Sequence, residues 1–491
     1  MNDLALIIGA GVGGLTTGAL LARRGWRVKI LEQSSRVGGC CGSFTRSGFK
    51  FDIGATLFPN VPWSGLDLVS KDLGLLWNRI FVDPFSQVCF PGHRIGLYRD
   101  PEATREEWSR EFPARIHRID ELFRSLNKIN NRIRYRNLNK ISGQVFGSIK
   151  GLEQKRQRIL LSLISSRYEK KSAQGLLNRV LKENGILSGF DLQTIFWGQT
   201  KFEMASLAYV STVMGLPLNG GFCLKGGSDA LCRLLSQYIC ANGGEISLNS
   251  PVEKVMVRKR KTTGLLLKTG EILEGRCYIS NTTPWSLYED LLSEGFNRKR
   301  MIRRLSKLPY PSAIFALFLG VKEESLPAQL GHKVFFLPDL AGDENQTGPL
   351  FINLAPKEDP GRAPEGYRAM SVFHYTSHKN WESGAGYAHN KQQMKVRVLH
   401  ALKRLIPFLD EGLCFCESAT PLTYERFTSR PGGIVNGIPQ NLAVIGNKAL
   451  AESTCCRDLY LISDCNSPGL GVEGICQASL DLVDRICKRY E

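Results

Sequence analysis

Residues 4–33 read LALIIGAGVGGLTTGALLARRGWRVKILEQ. Leu4 to Ile8 is an unbroken apolar run, the pattern of a parallel strand buried on both faces. Gly9, Gly11, Gly13 and Gly14 follow, with G-x-G-x-x-G spacing at 9, 11 and 14. In such a turn the first glycine permits the tight bend. The second lets the backbone approach a pyrophosphate, and the third lets helix and strand pack closely. The helix that opens there offers unpaired N–H groups and the positive end of its dipole to phosphates. RVKILE is a second strand ending in Glu32, about twenty residues past the second glycine, where a carboxylate accepts the ribose hydroxyls of an adenosine. Glycine spacing alone is a weak signal. With a strand before it, a helix after it and the acid at that distance, it reads as a dinucleotide site.

The continuation, EQSSRVGGCCGSFTRSGFKFDIGATLF (32–58), separates FAD from NAD. Gln33 stands beside Glu32, and Arg36, Gly38 and Gly39 form a second glycine turn that can receive the rest of a longer cofactor. Arg36 adds a charge for the pyrophosphate. No second G-x-G-x-x-G with its own ribose acid occurs, which argues against a disulfide reductase with two nucleotide domains. The adjacent Cys40 and Cys41 invite a redox reading, but neighbouring Cα atoms lie about 3.8 Å apart. Ordinary disulfides span roughly 4.4–6.8 Å. The pair is therefore expected to pack within the cofactor cradle, leaving the chemistry to the cofactor.

The sequence GAGVGGL with its following acid, RVGG and GFKFDIGAT resembles the flavin-containing polyene enzymes: bacterial-type phytoene desaturases, carotenoid cis–trans isomerases and retinol saturases. LKGGSDALCRLLSQYICANGGEISLNSPVEKVMV (224–257) is similar to that family's central FAD segment, and LYLISDCNSPGLGVEGICQASLDLVDRI (459–486) to its C-terminal flavin segment. APEGYRAMSVF, ATPLTYERFT and RPGGIVNG resemble substrate-lobe signatures. The resemblance implies FAD, a backbone contact from Val252 to the adenine, and hydride chemistry on a long isoprenoid or carotenoid polyene, by desaturation, isomerisation or saturation. It also implies a flavin amine-oxidase-like α/β architecture, in which a discontinuous Rossmann-type FAD-binding domain (1–75, 220–285 and 430–491) carries an inserted α+β substrate lobe (76–219 and 286–429).

The residues of these segments agree when read for themselves. Leu231, Leu234, Leu235, Tyr238 and Ile239 have helical spacing, Gly243-Gly244 ends that helix, and EISLNSPVEKVMV alternates as a strand. Leu459–Ile462 is a buried-type strand with Asp464 at its carboxyl end, where ligands sit in α/β sheets. Asp464 is placed to accept hydrogen bonds from ribityl hydroxyls. Gly471 and Val472 open the last helix, whose dipole favours the negative charge of a reduced flavin ring. Ser463 stands where the family usually has glycine, a tighter fit for the cofactor.

Hydrophobic residues make up 43% of the 491-residue chain, enough for two lobes. The formal charge of +18 favours anionic partners. Residues 128–171 are strongly basic and include RILLSLISSRYEKK (158–171), an apolar run flanked by cations that suits an anionic bilayer surface. No nucleic-acid recognition module is visible. Fourteen cysteines without a C-x-x-C pair read as reduced, mostly buried thiols of a cytoplasmic protein. No signal peptide or apolar run of transmembrane length occurs, so peripheral membrane association is expected. No metal set and no catalytic acid or base is assigned: His374 and His378, with a spacing that could share a helix face, and Glu473 each have an ordinary structural explanation. Oligomeric state stays open. A flavin amine oxidase with a polar pocket and a non-catalytic prenyl-binding escort protein are the competing classes; the intact glycines, Glu32 and Asp464 weigh against the second.

Overall fold

The computed structural model of the chain describes residues 3–62, 64–145, 168–176, 184–292, 298–339, 348–384, 386–442, 444, 454–466 and 471–491. An open sheet of five strands, every neighbouring pair parallel, runs in the order Glu245–Ser247, Arg27–Leu31, Leu4–Ile8, Cys277–Ser280, Leu459–Leu461. The first strand is central and is covered on both faces, which is why its apolar run does not alternate. On one side lie the helices Val12–Arg23, Asp229–Ala241 and Val472–Tyr490, packed through Leu15, Leu231, Leu235 and Leu482. On the other lie Val255 and Leu265 of the hairpin Val252–Arg258/Lys261–Leu267, with Trp285 and Leu287. Strands distant in sequence thus bring their carboxyl ends to one edge of the sheet.

EISLNSPVEKVMV does not form one strand. Glu245–Ser247 joins the parallel sheet, whereas Val252–Arg258 pairs antiparallel in a separate three-stranded sheet. The break comes where Asn249 takes a left-handed conformation, φ +51°, and the Ser250 N–H turns to the Glu32 carbonyl at 2.8 Å.

A seven-stranded sheet forms the second layer, in the order Leu413–Ala419, Ala313–Lys322, Tyr367–Thr376, Leu350–Leu354, Lys333–Phe336, Ser86–Phe90, His93–Leu97. Its pairs are antiparallel except Lys333–Phe336 with Ser86–Phe90. Side chains alternate across it. Phe318, Phe335, Phe351 and Phe373 face an aromatic core shared with Phe51, Trp108 and Phe190. Leu317, Val334, Ile352 and Val372 face the opposite way, against the helix Tyr387–Lys403. His374 lies in the strand Tyr367–Thr376 and His378 in the 3₁₀ turn that follows, so they share no helix face. A small sheet of Phe58–Pro59, Gly221–Leu224 and Arg79–Val82 lies where the chain passes between the layers.

Among the described residues no helix is long and apolar enough to cross a membrane. Much of the basic segment 128–171, including most of RILLSLISSRYEKK, lies outside the described residues.

Candidate active site

The two glycine turns lock together. Gly9 has φ +93°, and a Cβ on Gly14 would stand 2.1 Å from the Gly9 carbonyl oxygen, so the turn admits no side chain there. The Gly38 N–H donates to the Ala10 carbonyl at 2.8 Å, and Gly11 and Gly38 are paired in a parallel bridge. A Cβ on Gly39 would lie 3.6 Å from the Gly11 Cα. Gly11 and Gly13 carry a second constraint that the glycine spacing does not reveal. The Asn281 amide would lie 2.6 Å and 2.7 Å from Cβ atoms added to them. Asn281 Nδ2 donates to the Ile462 carbonyl at 2.7 Å. Asn281 therefore ties the first glycine turn to the C-terminal segment. Its only signal in the sequence is its place after the strand Cys277–Ser280, at the ligand-binding end of the sheet.

Glu32 is 9% exposed. Its carboxylate accepts the Ala10 N–H at 2.7 Å and the Ser34 N–H at 2.8 Å. A carboxylate offers about four acceptor positions, so the orientation is fixed while capacity for ribose hydroxyls remains. The Ser250 N–H donates to the Glu32 backbone carbonyl at 2.8 Å, two residues before Val252, the first residue of its strand. Gln33 is exposed and donates to Ser429 Oγ at 2.6 Å, and Arg36 is exposed beside the second glycine turn.

Asp464 has a partner that sequence reading missed. Arg430 donates to both its oxygens, at 3.0 and 2.8 Å, and to the Ile434 carbonyl at 2.7 Å. Burial opposes the Arg430 charge, but Asp464 together with Cys40 and Cys465 more than offsets it and raises the guanidinium pKa. Ser463 fits by turning its hydroxyl into this corner, donating to Asp464 at 3.2 Å and accepting the Cys465 N–H at 3.3 Å. Gly471, φ +57°, caps the helix Val472–Tyr490, and a Cβ added to it would meet no atom of the described residues within 4 Å. Glu473, in the first turn, accepts the Leu66 N–H at 3.0 Å, and burial raises its pKa to about 7.

Cys40 and Cys41 are unpaired thiols. Burial raises the pKa of Cys40. The interaction with Cys232, together with burial, raises that of Cys41. Neither is a ready thiolate, as redox nucleophiles are.

These elements enclose a cleft with about 1110 Å³ of unfilled space, its mouth included. One wall is Cys40, Gly54, Thr56, Gly471, Val472 and Glu473; the other is Phe196, Trp197, Ile314, Phe351, Phe373 and Tyr375. Tyr375 donates its hydroxyl to the Phe196 carbonyl at 3.0 Å, which leaves its ring to the cleft. A glycine-lined dinucleotide cradle thus opens onto an aromatic chamber. Among the described residues no group of three or more His, Cys, Asp or Glu side chains is arranged to hold a metal.

A family model for flavin-containing amine oxidoreductases matches residues 12–419. The chain belongs to this family. FAD is its cofactor, and the five-stranded unit is the Rossmann-type FAD-binding part of an amine-oxidase-like fold. Its relatives include carotenoid enzymes. Prolycopene isomerase 1, chloroplastic, of an Oncidium hybrid cultivar is 26% identical over 98% of this chain and 83% of its own length. The neurosporene-forming phytoene desaturase of Rhodobacter capsulatus is 24% identical over 96% of this chain and 91% of its own. Among solved structures, an oxidoreductase from Methanosarcina mazei has the same fold, with a TM-score of 0.67 at 17% identity, covering 98% of this chain and all of that one.

Proposed function

We propose that this flavoenzyme acts on a long isoprenoid or carotenoid polyene, as a desaturase or cis–trans isomerase, at a membrane surface. The observation that carries the reading is the chamber wall of Phe196, Trp197, Phe351 and Phe373, which lines the same cleft as Val12, Cys40, Asp464 and Gly471 of the cofactor side. Such a wall suits a conjugated hydrocarbon and offers a cation only ring faces. Of the two carboxylates lining the cleft, Asp464 is engaged by Arg430 and Glu473 is held toward its neutral form. The carotenoid relatives support the same class.

FAD, when bound, supplies the group that accepts or returns a hydride beside the substrate carbons. The chain positions it. Gly9, Gly11, Gly13, Gly14, Gly38 and Gly39 leave bare backbone for the pyrophosphate, with Arg36 nearby. Glu32 and Gln33 take the adenosine ribose, and Val252 the adenine. Asp464, oriented by Arg430, keeps acceptor capacity for ribityl hydroxyls, and the helix N-terminus at Gly471-Val472 favours negative charge beside it. The aromatic wall excludes water, which protects reactive species. Glu473 holds a proton near neutrality at the cleft wall. We retain 1–75, 220–285 and 430–491 as the cofactor unit and 76–219 with 286–429 as the substrate lobe, with peripheral attachment to anionic membrane through 128–171 in a cytoplasmic setting.

Flavin-loaded protein, with its flavin either oxidised or reduced by dithionite, incubated with liposomes carrying phytoene, a cis-lycopene or retinol tests this by chromatography of the products. A gain of double bonds or cis-to-trans conversion is expected; reduction of retinol would make the protein a saturase. Unchanged polyenes with peroxide released from amines would assign it as an amine oxidase. A colourless protein unable to take up FAD would fit a prenyl-binding escort.

A further inference from the structure

The seven-stranded sheet carries a polar row where its inner face should be apolar. By register, Phe335, Phe351 and Phe373 lie side by side across three strands. Two residues along each strand, on the same face, the neighbouring row is Lys333, Asn353 and Ser371. All three are buried, at 2%, 8% and 4% exposure. They line a recess of about 20 Å³, enough for one water-sized group. Thr56 and Leu57 line both this recess and the main cleft. Phe196, a cleft residue, has the Lys333 ammonium 3.8 Å from its ring centre.

The row has a surplus of donors. Lys333 Nζ donates to Asn353 Oδ1 at 2.5 Å, and that oxygen also accepts from Thr56 at 2.6 Å. Asn353 Nδ2 is a buried donor with no hydrogen-bond partner among the described residues. The neighbouring cations are already matched, Arg362 to Asp52 at 2.9 Å and Lys50 to Asp229 at 3.0 Å. Among the described residues Lys333 has no carboxylate partner, and burial pushes its pKa well down. Buried lone donors are costly, so the row fits a ligand that brings both an acceptor and a negative charge.

We propose that Lys333, Asn353 and Ser371 form a receptor for the carboxylate end of an isoprenoid or polyene acid whose apolar chain lies in the adjoining cleft. The proposal rests on the polyene reading and narrows it: the substrate or a regulatory ligand has an acidic terminus, and one carboxylate oxygen enters the recess past Thr56.

The test is binding to flavin-loaded protein, read by quenching of flavin fluorescence, with all-trans-retinoic acid, its methyl ester and lycopene as probes. The acid is expected to bind at least tenfold more tightly than the ester. Lys333→Met, checked for retained flavin, should bring that ratio near one. Asn353→Asp, which supplies Lys333 with the missing charge, should do the same and guards against a folding defect in the first variant. Equal binding of acid and ester to the unaltered protein would mean that the recess holds water only, overturning the carboxylate receptor while the polyene reading stands. Failure of all three probes to bind would overturn both.

Discussion

Glu32 shows how one carboxylate can be held by the fold and still serve a ligand. Two backbone N–H groups, one on each oxygen, fix it, so Glu32→Gln sets its NH2 against one of them and also loses charge-assisted bonds to the ribose. At about 1.5–3 kcal/mol for such bonds, FAD affinity should fall by roughly one to two orders of magnitude, measured by titrating apoprotein with FAD. Glu473 makes a pH prediction. Its folded pKa of about 7 lies above the ordinary 4.5, so the folded state holds the proton more tightly than the unfolded state. Its contribution to stability is complete below about pH 4.5 and is lost as pH rises through 7, worth about 3 kcal/mol in all. Melting of flavin-loaded Glu473→Gln should therefore be flatter between pH 5 and 8 than melting of the unaltered protein. The glycines and Glu32 were legible because their geometry closes within some thirty residues of chain. Asn281 and Arg430 were not. Asn281 meets Ile462 across 181 positions and Arg430 meets Asp464 across 34; Asn281 belongs to no spaced pattern, and Arg430 opens RPGGIVNG, a signature whose resemblance points to the substrate lobe rather than to Asp464. Lys333 carries no signal of its own in the sequence; the sheet register sets it in the buried row.

Among the elements, the parallel strands Leu4–Ile8, Arg27–Leu31 and Leu459–Leu461 and the helices Val12–Arg23, Asp229–Ala241 and Val472–Tyr490 followed from apolar runs and spacing, whereas Cys277–Ser280 did not. The break within EISLNSPVEKVMV did not, since alternation continues on both sides of Asn249 and only the Ser250 bond to Glu32 shows where the chain leaves the sheet. His374 and His378 have a spacing of four, which fits a helix face, yet the ten-residue pairing of Tyr367–Thr376 with Ala313–Lys322 places His374 near the end of an apolar strand, as its sequence context also suggests. One buried ion pair ties the cradle to the second sheet's side of the molecule. Asp52, in the strand Phe49–Asp52, accepts from Arg362 at 2.9 Å and from Ser43 and Ser228 at 2.8 and 3.0 Å. Arg362→Ala would leave Asp52 buried and unpaired, which typically costs about 3–5 kcal/mol. Urea unfolding should show that loss, and Arg362→Ala with Asp52→Asn should recover part of it.

At the scale of the molecule, two sheets meet at an aromatic cleft, one carrying the cofactor cradle and the other the chamber wall. The expectation of two lobes came from length and from the scatter of the three FAD segments, whereas the chamber itself arises only when residues near 196, 314, 351 and 373 converge. The net charge of +18 and the basic run at 128–171 predict that the protein floats with phosphatidylglycerol vesicles at low salt. It should be released near 1 M salt, where screening shortens to about 3 Å, and should ignore neutral vesicles. Co-flotation that is indifferent to charge and salt would remove the electrostatic account of membrane attachment. The most direct measurement of the central claim is chromatography, with absorbance detection, of a polyene after anaerobic incubation with the flavin-loaded protein. The account predicts a product with a changed number or geometry of conjugated double bonds. Polyenes recovered unchanged from protein with a full complement of FAD would contradict it.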